Sequence, residues 1–315
     1  MNPFFSIVIP LYNKEKHIEK TLQSVFDQTF QDFEIIVVND GSTDQSLKVT
    51  ENIPDERIHI ITIKNSGVSH ARNVGVSKAK ADFVAFLDAD DLWEKDHLEN
   101  LHQLIKDFPE CGLYSTAYIK QTKETFLECK FKGIPNNTVW SGIVKDYFES
   151  SIYNSIAWAS AIAIPKKTFE EVGLFDEKIT LGAGEDTDMW IRIALKLPIA
   201  FHNKVSAIHN LYAENRLSNS NTNLRQFINL DKYEEEAKKN PSLKKYLDIN
   251  RFSIGLKYML AGNRNKAKSY FEKIDKNNLN GKQKLLVNQP KKVLKLLIIV
   301  QNMFRKMKIQ LTPFH

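Results

Sequence analysis

Phe33-Glu-Ile-Ile-Val-Val-Asn-Asp-Gly-Ser-Thr-Asp44 joins a run rich in Ile, Val and Phe to a polar turn. Residues 33–38 read as a strand, and Ser42, Thr43 or Asp44 can cap a helix that follows. Working outward, residues 4–9, 58–63 and 83–87 repeat the strand signature. Helical patterns lie between them near residues 14–28, 43–52, 68–79 and 94–108. A β-α-β-α order implies right-handed crossovers, and so an α/β fold built on a doubly wound, mostly parallel sheet. Ligands of such sheets bind beyond the carboxyl ends of the strands. Those ends run into Pro10-Leu-Tyr-Asn13, Asn39-Asp-Gly-Ser-Thr-Asp44, Asn65-Ser-Gly67 and Asp88-Ala-Asp-Asp91, which gathers polar and acidic groups on one rim.

Past residue 110 the alternation weakens. Residues 120–155 are polar and poorly periodic, as expected of a variable loop or small subdomain; a strand near 157–164 and a helix near 185–196 follow. Residues 226–315 are helical in pattern, and Leu256 to Phe271 resembles one helix-turn-helix unit of a tetratricopeptide array, too little to stack as a solenoid. The expected organisation is a catalytic region over 1–225 and a basic helical region over 226–315. Residues 1–225 hold 24 Lys+Arg against 31 Asp+Glu, and residues 226–315 hold 20 against 7, so the formal charge of +6 conceals opposite halves. A nucleic-acid binder would not usually be divided in this way.

Composition narrows the class further. With 315 residues, 42% hydrophobic and 26% charged, the chain has the balance of an ordinary folded protein, which excludes disordered and collagen-like classes. Cys111 and Cys129 form no CxxC pair and suggest a reducing, cytoplasmic compartment rather than a disulfide or zinc site. The apolar N-terminal run is short and broken by Pro10, unlike a secretory signal. No stretch offers the roughly 20 apolar residues of a membrane span.

Two acidic pairs carry the chemical signal. Asp88 and Asp90 sit at a strand exit, where they can converge on one hard cation; the plain alternative is a solvated turn capping the next helix. No GxGxxG and no GxxxxGK[ST] occurs in the chain, so phosphates must be neutralised by other means, for which a cation at Asp90 would serve. Glu185 and Asp186 open a helix whose dipole keeps a carboxylate charged but lowers its basicity. They could instead only stabilise that helix end, with Asp188 pairing with Arg192 at i,i+4.

Together, Ser6-Ile-Val-Ile-Pro-Leu-Tyr-Asn13, Val37-Val-Asn-Asp-Gly-Ser-Thr-Asp44, Asn65-Ser-Gly-Val-Ser-His-Ala-Arg-Asn-Val-Gly75, Phe86-Leu-Asp-Ala-Asp-Asp91 and Gly184-Glu-Asp-Thr-Asp-Met-Trp-Ile-Arg192 resemble the ordered motifs of inverting family 2 glycosyltransferases of the GT-A fold, of the bacterial surface-polysaccharide type. The resemblance spans about residues 4–220. It implies that Pro10, Tyr12 and Asp40 hold the nucleoside, with Asp40 facing the base, and that Arg72 approaches the nucleotide-sugar. Asp88 would touch ribose or sugar, and Asp90 would bind Mn²⁺ or Mg²⁺ bridging the diphosphate. Asp186 falls at the catalytic-base position, with Glu185 binding an acceptor hydroxyl or tuning it. His209 falls where some members supply a further metal ligand, although a lone His between apolar residues is more often structural. The donor implied is a UDP-sugar and the acceptor a glycan or lipid-linked hydroxyl, with no nucleic-acid partner.

Residues 291–309 combine six cations with a dense apolar set, as in an interfacial helix at an anionic membrane surface, which would place the protein at the inner face of the cell membrane. The competing expectation is a terminal helix docked on the catalytic region. Two rival functions stay open: a nucleotidyltransferase, which would be expected to carry a glycine-rich basic loop in place of residues 10–16, and a noncatalytic, basic-tailed protein binding membrane or nucleic acid. Trp158 and Trp190 are expected in the core, the alternative being a sugar-stacking face.

Overall fold

The computed structural model describes residues 2–306 and Pro313. The first half alternates as expected: β1 Phe5–Leu11, α1 Ile18–Phe26, β2 Phe33–Asp40, α2 Ser46–Glu51, β3 Ile58–Ile63, α3 Val68–Lys78 and β4 Phe83–Phe86. There follow β5 Leu92–Trp93, α4 His97–Asp107, β6 Leu113–Gln121, β7 Phe126–Glu128, β8 Ser141–Ile143, α5 Tyr147–Ser150, β9 Ile162–Pro165, α6 Lys166–Val172, α7 Glu185–Ala194 and β10 Ile199–Asn210.

These strands form one sheet ordered β3-β2-β1-β4-β9-β6-β10-β5, with β7 added to β6 and β8 to β10. The β3, β2, β1 and β4 strands are parallel, in a register that sets Leu11 opposite Asn39 and Asn39 opposite Thr62. Neighbouring chains therefore leave the sheet at one level, which is what lines their polar turns along a common rim. Beyond β4 the sheet is mixed: β9 is antiparallel to both β4 and β6, whereas β10 runs parallel to β6.

Strands β1, β2 and β4 are covered on both faces, whereas the edge strand β3 is half-buried. Along β1, Val8 packs into the core under α3 and α7, while Ile7 and Ile9 point into the opposite core under α1 and α4, the period-2 alternation of a pleated strand. Helix α3 lies close on β1 because Gly75 has no side chain; a Cβ there would sit 2.3 Å from a Val8 methyl carbon. Arg72, one turn earlier on that helix, is thereby brought down to the rim.

The C-terminal region is α8 Glu234–Ala237, α9 Pro241–Ala261, α10 Arg264–Phe271, α11 Gly281–Val287 and α12 Lys291–Lys306. Its buried Leu243, Tyr246, Leu247, Tyr258 and Met259 continue the core that contains Trp190 and Phe201, so α9 is packed onto the sheet domain. Arg251 fixes α9 from within, bonded to Asp231 (2.9 Å), Glu234 (2.5 Å) and Asp248 (3.3 Å) with only 1% of its side chain exposed. The expected helix-turn-helix is α9–α10, joined by the left-handed Gly262 (φ 87°) and capped by Asn263, whose side chain accepts from the Lys266 N–H.

Candidate functional site

Turns after the parallel strands, the start of α7 and the chain after β10 enclose a cavity of about 540 Å³. Pro10, Tyr12, Asp40, Arg72, Asp88, Asp90, Glu185, Asp186 and His209 all line it, so the nine residues singled out in the sequence meet around one space.

Asp40 ends β2 and is only 4% exposed. Its two carboxylate oxygens accept the backbone N–H groups of Ser66 (2.7 Å) and Gly67 (2.9 Å), which pins the β3–α3 turn to the β2 end. Gly41 is required beside it: φ is 68°, and a Cβ would come within 2.9 Å of the Asn65 nitrogen. The carboxylate has remaining lone pairs on the cavity side of this clamp for a further donor.

Arg72 is the hub. Its side chain is 2% exposed, donating to Asp88 Oδ1 (2.8 Å) and Asp186 Oδ1 (2.5 Å), with Glu185 at 4.0 Å. Burial alone would lower its pKa, but Asp186, Asp88 and Glu185 together raise it, so it is a permanent cation. Its Nε–H is buried and has no hydrogen-bond partner among the described residues.

Asp186 opens α7 behind the left-handed Gly184 (φ 107°), where a Cβ would stand 2.8 Å from Ile228. Burial pushes its carboxyl up to about 7 although Arg72 pulls it down; Glu185 and Asp88 reinforce the rise. The side chain still meets the cavity over 29% of its surface, so water there moderates the effect of burial. Asp188, two residues on, turns away. It is bonded to Arg192 (2.9 Å), Lys232 (2.5 Å) and the Tyr233 hydroxyl (2.8 Å), a structural role that includes the anticipated i,i+4 pair.

The acids at the end of β4 divide their work. Asp90 is paired with Lys14 Nζ at 2.7 Å, and the same ammonium donates to the Glu214 carbonyl at 2.8 Å. Asp91 is 2% exposed and accepts from the Asn210 N–H (2.9 Å) and the Ser160 hydroxyl (2.7 Å), tying β4 to β10. Burial, with Asp90 and Asp88 adding repulsion, holds the Asp91 carboxyl well above the usual range.

His209 stacks on Trp158 with ring centroids 4.6 Å apart, and its Nε2 accepts from Arg216 at 3.0 Å. Burial, followed by Arg216 and Lys120, lowers its pKa to about 3, so it is neutral. Since arginine can only donate, the proton sits on Nδ1, which is buried without a partner among the described residues. The Nε2 lone pair that could ligate a metal is thus already engaged. Trp190 is core at 2% exposure.

Among the described residues, no group of three or more His, Cys, Asp and Glu side chains could hold a metal ion. Asp88 and Asp90 on the cavity wall fit a different arrangement, in which a hard cation is shared between one or two carboxylates and the phosphates of a ligand, as is usual for Mg²⁺.

The model of Glycosyl transferase family 2 matches residues 6–141, the segment that supplies β1 to β6 and the acidic turn after β4. This segment belongs to glycosyl transferase family 2. A glycosyltransferase of Rickettsia felis, itself uncharacterised, is 30% identical over 256 residues, covering 80% of this chain and 35% of that protein. TuaG of Bacillus subtilis, named for teichuronic acid biosynthesis, is 34% identical over 147 residues, or 46% of this chain and 58% of TuaG. The chain thus spans about a third of one relative's length and somewhat over half of the other's. Among solved structures, S. aureus TarS residues 1–349 in complex with UDP-GlcNAc superposes with a TM-score of 0.61 at 17% identity, covering 88% of this chain and 83% of that one. The fold is GT-A, and the family 2 segment contributes Pro10, Tyr12, Asp40, Arg72, Asp88 and Asp90; Glu185, Asp186 and His209 come from the chain beyond it.

Lys14, Asp91, Ser160 and Arg216 also hold the site together, roles that their sequence context alone does not assign. For Lys14 a signal existed: two acids on a rim need a countercharge, and Lys14 is the first cation after β1.

Proposed function

We propose that the protein is an inverting glycosyltransferase that moves a sugar from a nucleotide-sugar, UDP-linked, to a hydroxyl of a glycan or lipid-linked acceptor in surface-polysaccharide biosynthesis. The observation that carries this reading is the Asp186–Arg72–Asp88 bridge, set in the same cavity as Asp40 and Asp90. TarS, of like fold, was crystallised with UDP-GlcNAc and with UDP, and TuaG is named for teichuronic acid biosynthesis.

In this reading Asp40 offers an acceptor to a base N–H, and Arg72 holds its fixed positive charge beside the donor. Asp186, ionised, takes the proton of the acceptor hydroxyl as its oxygen attacks the anomeric carbon opposite the leaving diphosphate; one such displacement inverts the configuration. A Mn²⁺ or Mg²⁺ ion shared by Asp90 and the diphosphate would supply charge stabilisation to the leaving group. Lys14, paired with Asp90 in the free protein, would have to give way or turn to the phosphates.

The test is a thermal-shift panel of nucleotides and nucleotide-sugars with and without Mn²⁺, since a ligand that binds only the folded state raises the apparent melting temperature. A shift confined to uridine nucleotides and enlarged by Mn²⁺ is expected. No shift with any of them rejects the reading.

A further inference from the structure

Asp186 lines a second space. A smaller cleft of about 270 Å³ lies beside the large cavity, and Asp186 is the one residue common to the two linings. Its other walls come from the chain after α5, from α7 and from α9, so the C-terminal region builds one side of it. We propose that this cleft is the acceptor subsite and that it takes a neutral saccharide, not a phosphate-bearing polyol. The inference rests on the glycosyltransferase reading above and names the acceptor class for it.

Three observations carry it. The first is position: a base must reach the acceptor hydroxyl on one side and the donor's reacting carbon on the other, and Asp186 alone borders both spaces. When the hydroxyl oxygen bonds to the anomeric carbon, its proton passes to the Asp186 carboxylate. The bond from that carbon to the diphosphate oxygen breaks, with its electron pair leaving on the nucleoside diphosphate.

The second is chemistry. Tyr153, 37% exposed, supplies aromatic surface of the kind that meets the C–H faces of sugar rings, and Trp158, stacked on His209, completes the wall beside it. Asn250 and Ser253 add an amide and a hydroxyl from one face of α9, each able both to donate and to accept, which suits sugar hydroxyls. Helix α9 is a firm platform for them, held by the buried Arg251 pairs and by Tyr246 packed against Tyr147.

The third is charge. Apart from Asp186, no charged side chain among the described residues lines the cleft. A phosphate seated there would lose its hydration with no cation to replace it and would face the Asp186 carboxylate, both unfavourable. A neutral ring avoids this cost. At this volume, below the ~300–1,000 Å³ common for sites that enclose a drug-sized ligand, the cleft suits the terminal sugar of a longer chain.

The test uses the full chain with UDP and Mn²⁺ present. Saturation-transfer NMR would be run with the methyl glycosides of glucose, galactose, N-acetylglucosamine and rhamnose, and with ribitol 5-phosphate as the charged counter-probe. At least one glycoside should bind and ribitol 5-phosphate should not. Ser253→Trp, which fills the cleft, should weaken the bound glycoside by about tenfold or more. Tyr153→Ala, on a more exposed position, provides a second variant should Ser253→Trp fold poorly. UDP affinity by calorimetry reports on the donor cavity in each protein and should be unchanged. Glycosides that bind wild type and both variants alike, preference for ribitol 5-phosphate, or no binding by any probe while UDP binds would each overturn the acceptor cleft. Failure of wild type to bind UDP would instead overturn the glycosyltransferase reading beneath it.

Discussion

Asp186 combines burial, which pushes its carboxyl up to about 7, with a direct bond to Arg72. A base works only when ionised, so transfer at saturating substrates should rise with pH through about 7 and level off above it. A kcat that stays flat between about pH 5 and 8 would exclude Asp186 as the base. Asp186→Asn keeps the shape, removes the proton acceptor, and should cost about 10² to 10⁴ in kcat while UDP still binds; near-normal turnover would pass the role to Glu185. Asp90 makes a different prediction, because its partner in the free protein is Lys14 and its expected partner in the complex is a divalent ion. Asp90→Asn should abolish the gain in UDP affinity that Mn²⁺ confers without lowering the melting temperature, and equal calorimetric titrations of wild type and variant in Mn²⁺ would refute it. At this scale the sequence was legible wherever a motif coincided with a strand end: all nine chosen residues reached one cavity. It was less legible wherever a residue acts through a partner far along the chain. Lys14 meets the carbonyl of Glu214, and Asp91 meets Asn210, contacts that no local pattern encodes.

Helix α3 shows why placement of an element matters to the site. Gly75 lets it rest on β1, and the same helix carries Arg72 to the two acids. Gly75→Ala would drive a methyl into Val8, a crowding that typically costs about 1–3 kcal/mol, and should lower the urea midpoint while weakening UDP binding through displaced Arg72. Adding Val8→Ala should restore part of both losses; strict additivity of the two substitutions would deny the contact. Elements of the first half were readable because compact β-branched runs end at turn residues, and their observed limits differ from the expected ones by only a few residues. Strands β6 and β10 escaped notice for physical reasons. Strand β10 holds His202, Asn203, Lys204, Ser206 and His209, and its register against β6 slips between His202 and Val205 and again before Ala207, so no period of two survives in the sequence. These hidden strands, with the antiparallel β9 between β4 and β6, also turn the far half of the sheet from parallel to mixed. The stretch 120–155, expected to be irregular, contains only short pieces, β7, β8 and α5.

Over the whole molecule, the acidic residues 1–225 and the basic residues 226–315 share one hydrophobic core. Helix α12 belongs to each environment. Leu294 is buried in the common core at 4% exposure, whereas Leu296, Ile299 and Met303 are 59%, 57% and 62% exposed. Spaced by three and four, those three share a face roughly opposite Leu294. No helix among the described residues is long and apolar enough to cross a membrane. Residues 307–309, the end of the basic apolar stretch noted in the sequence, lie outside the described residues. We propose that α12 docks through Leu294 and offers its other face to an anionic lipid surface, where each Lys or Arg contributes about 1 kcal/mol and salt weakens the attraction. Docking makes simple removal of residues 290–315 ambiguous, because loss of Leu294 also opens the core. The sharper variant carries Leu296→Gln, Ile299→Gln and Met303→Gln together. It should keep the melting temperature and UDP affinity of the parent and lose sedimentation with phosphatidylglycerol vesicles at low salt. If the parent ignores such vesicles, or the triple variant binds them equally well, the exposed face of α12 has no lipid role and the helix serves only to cover α9.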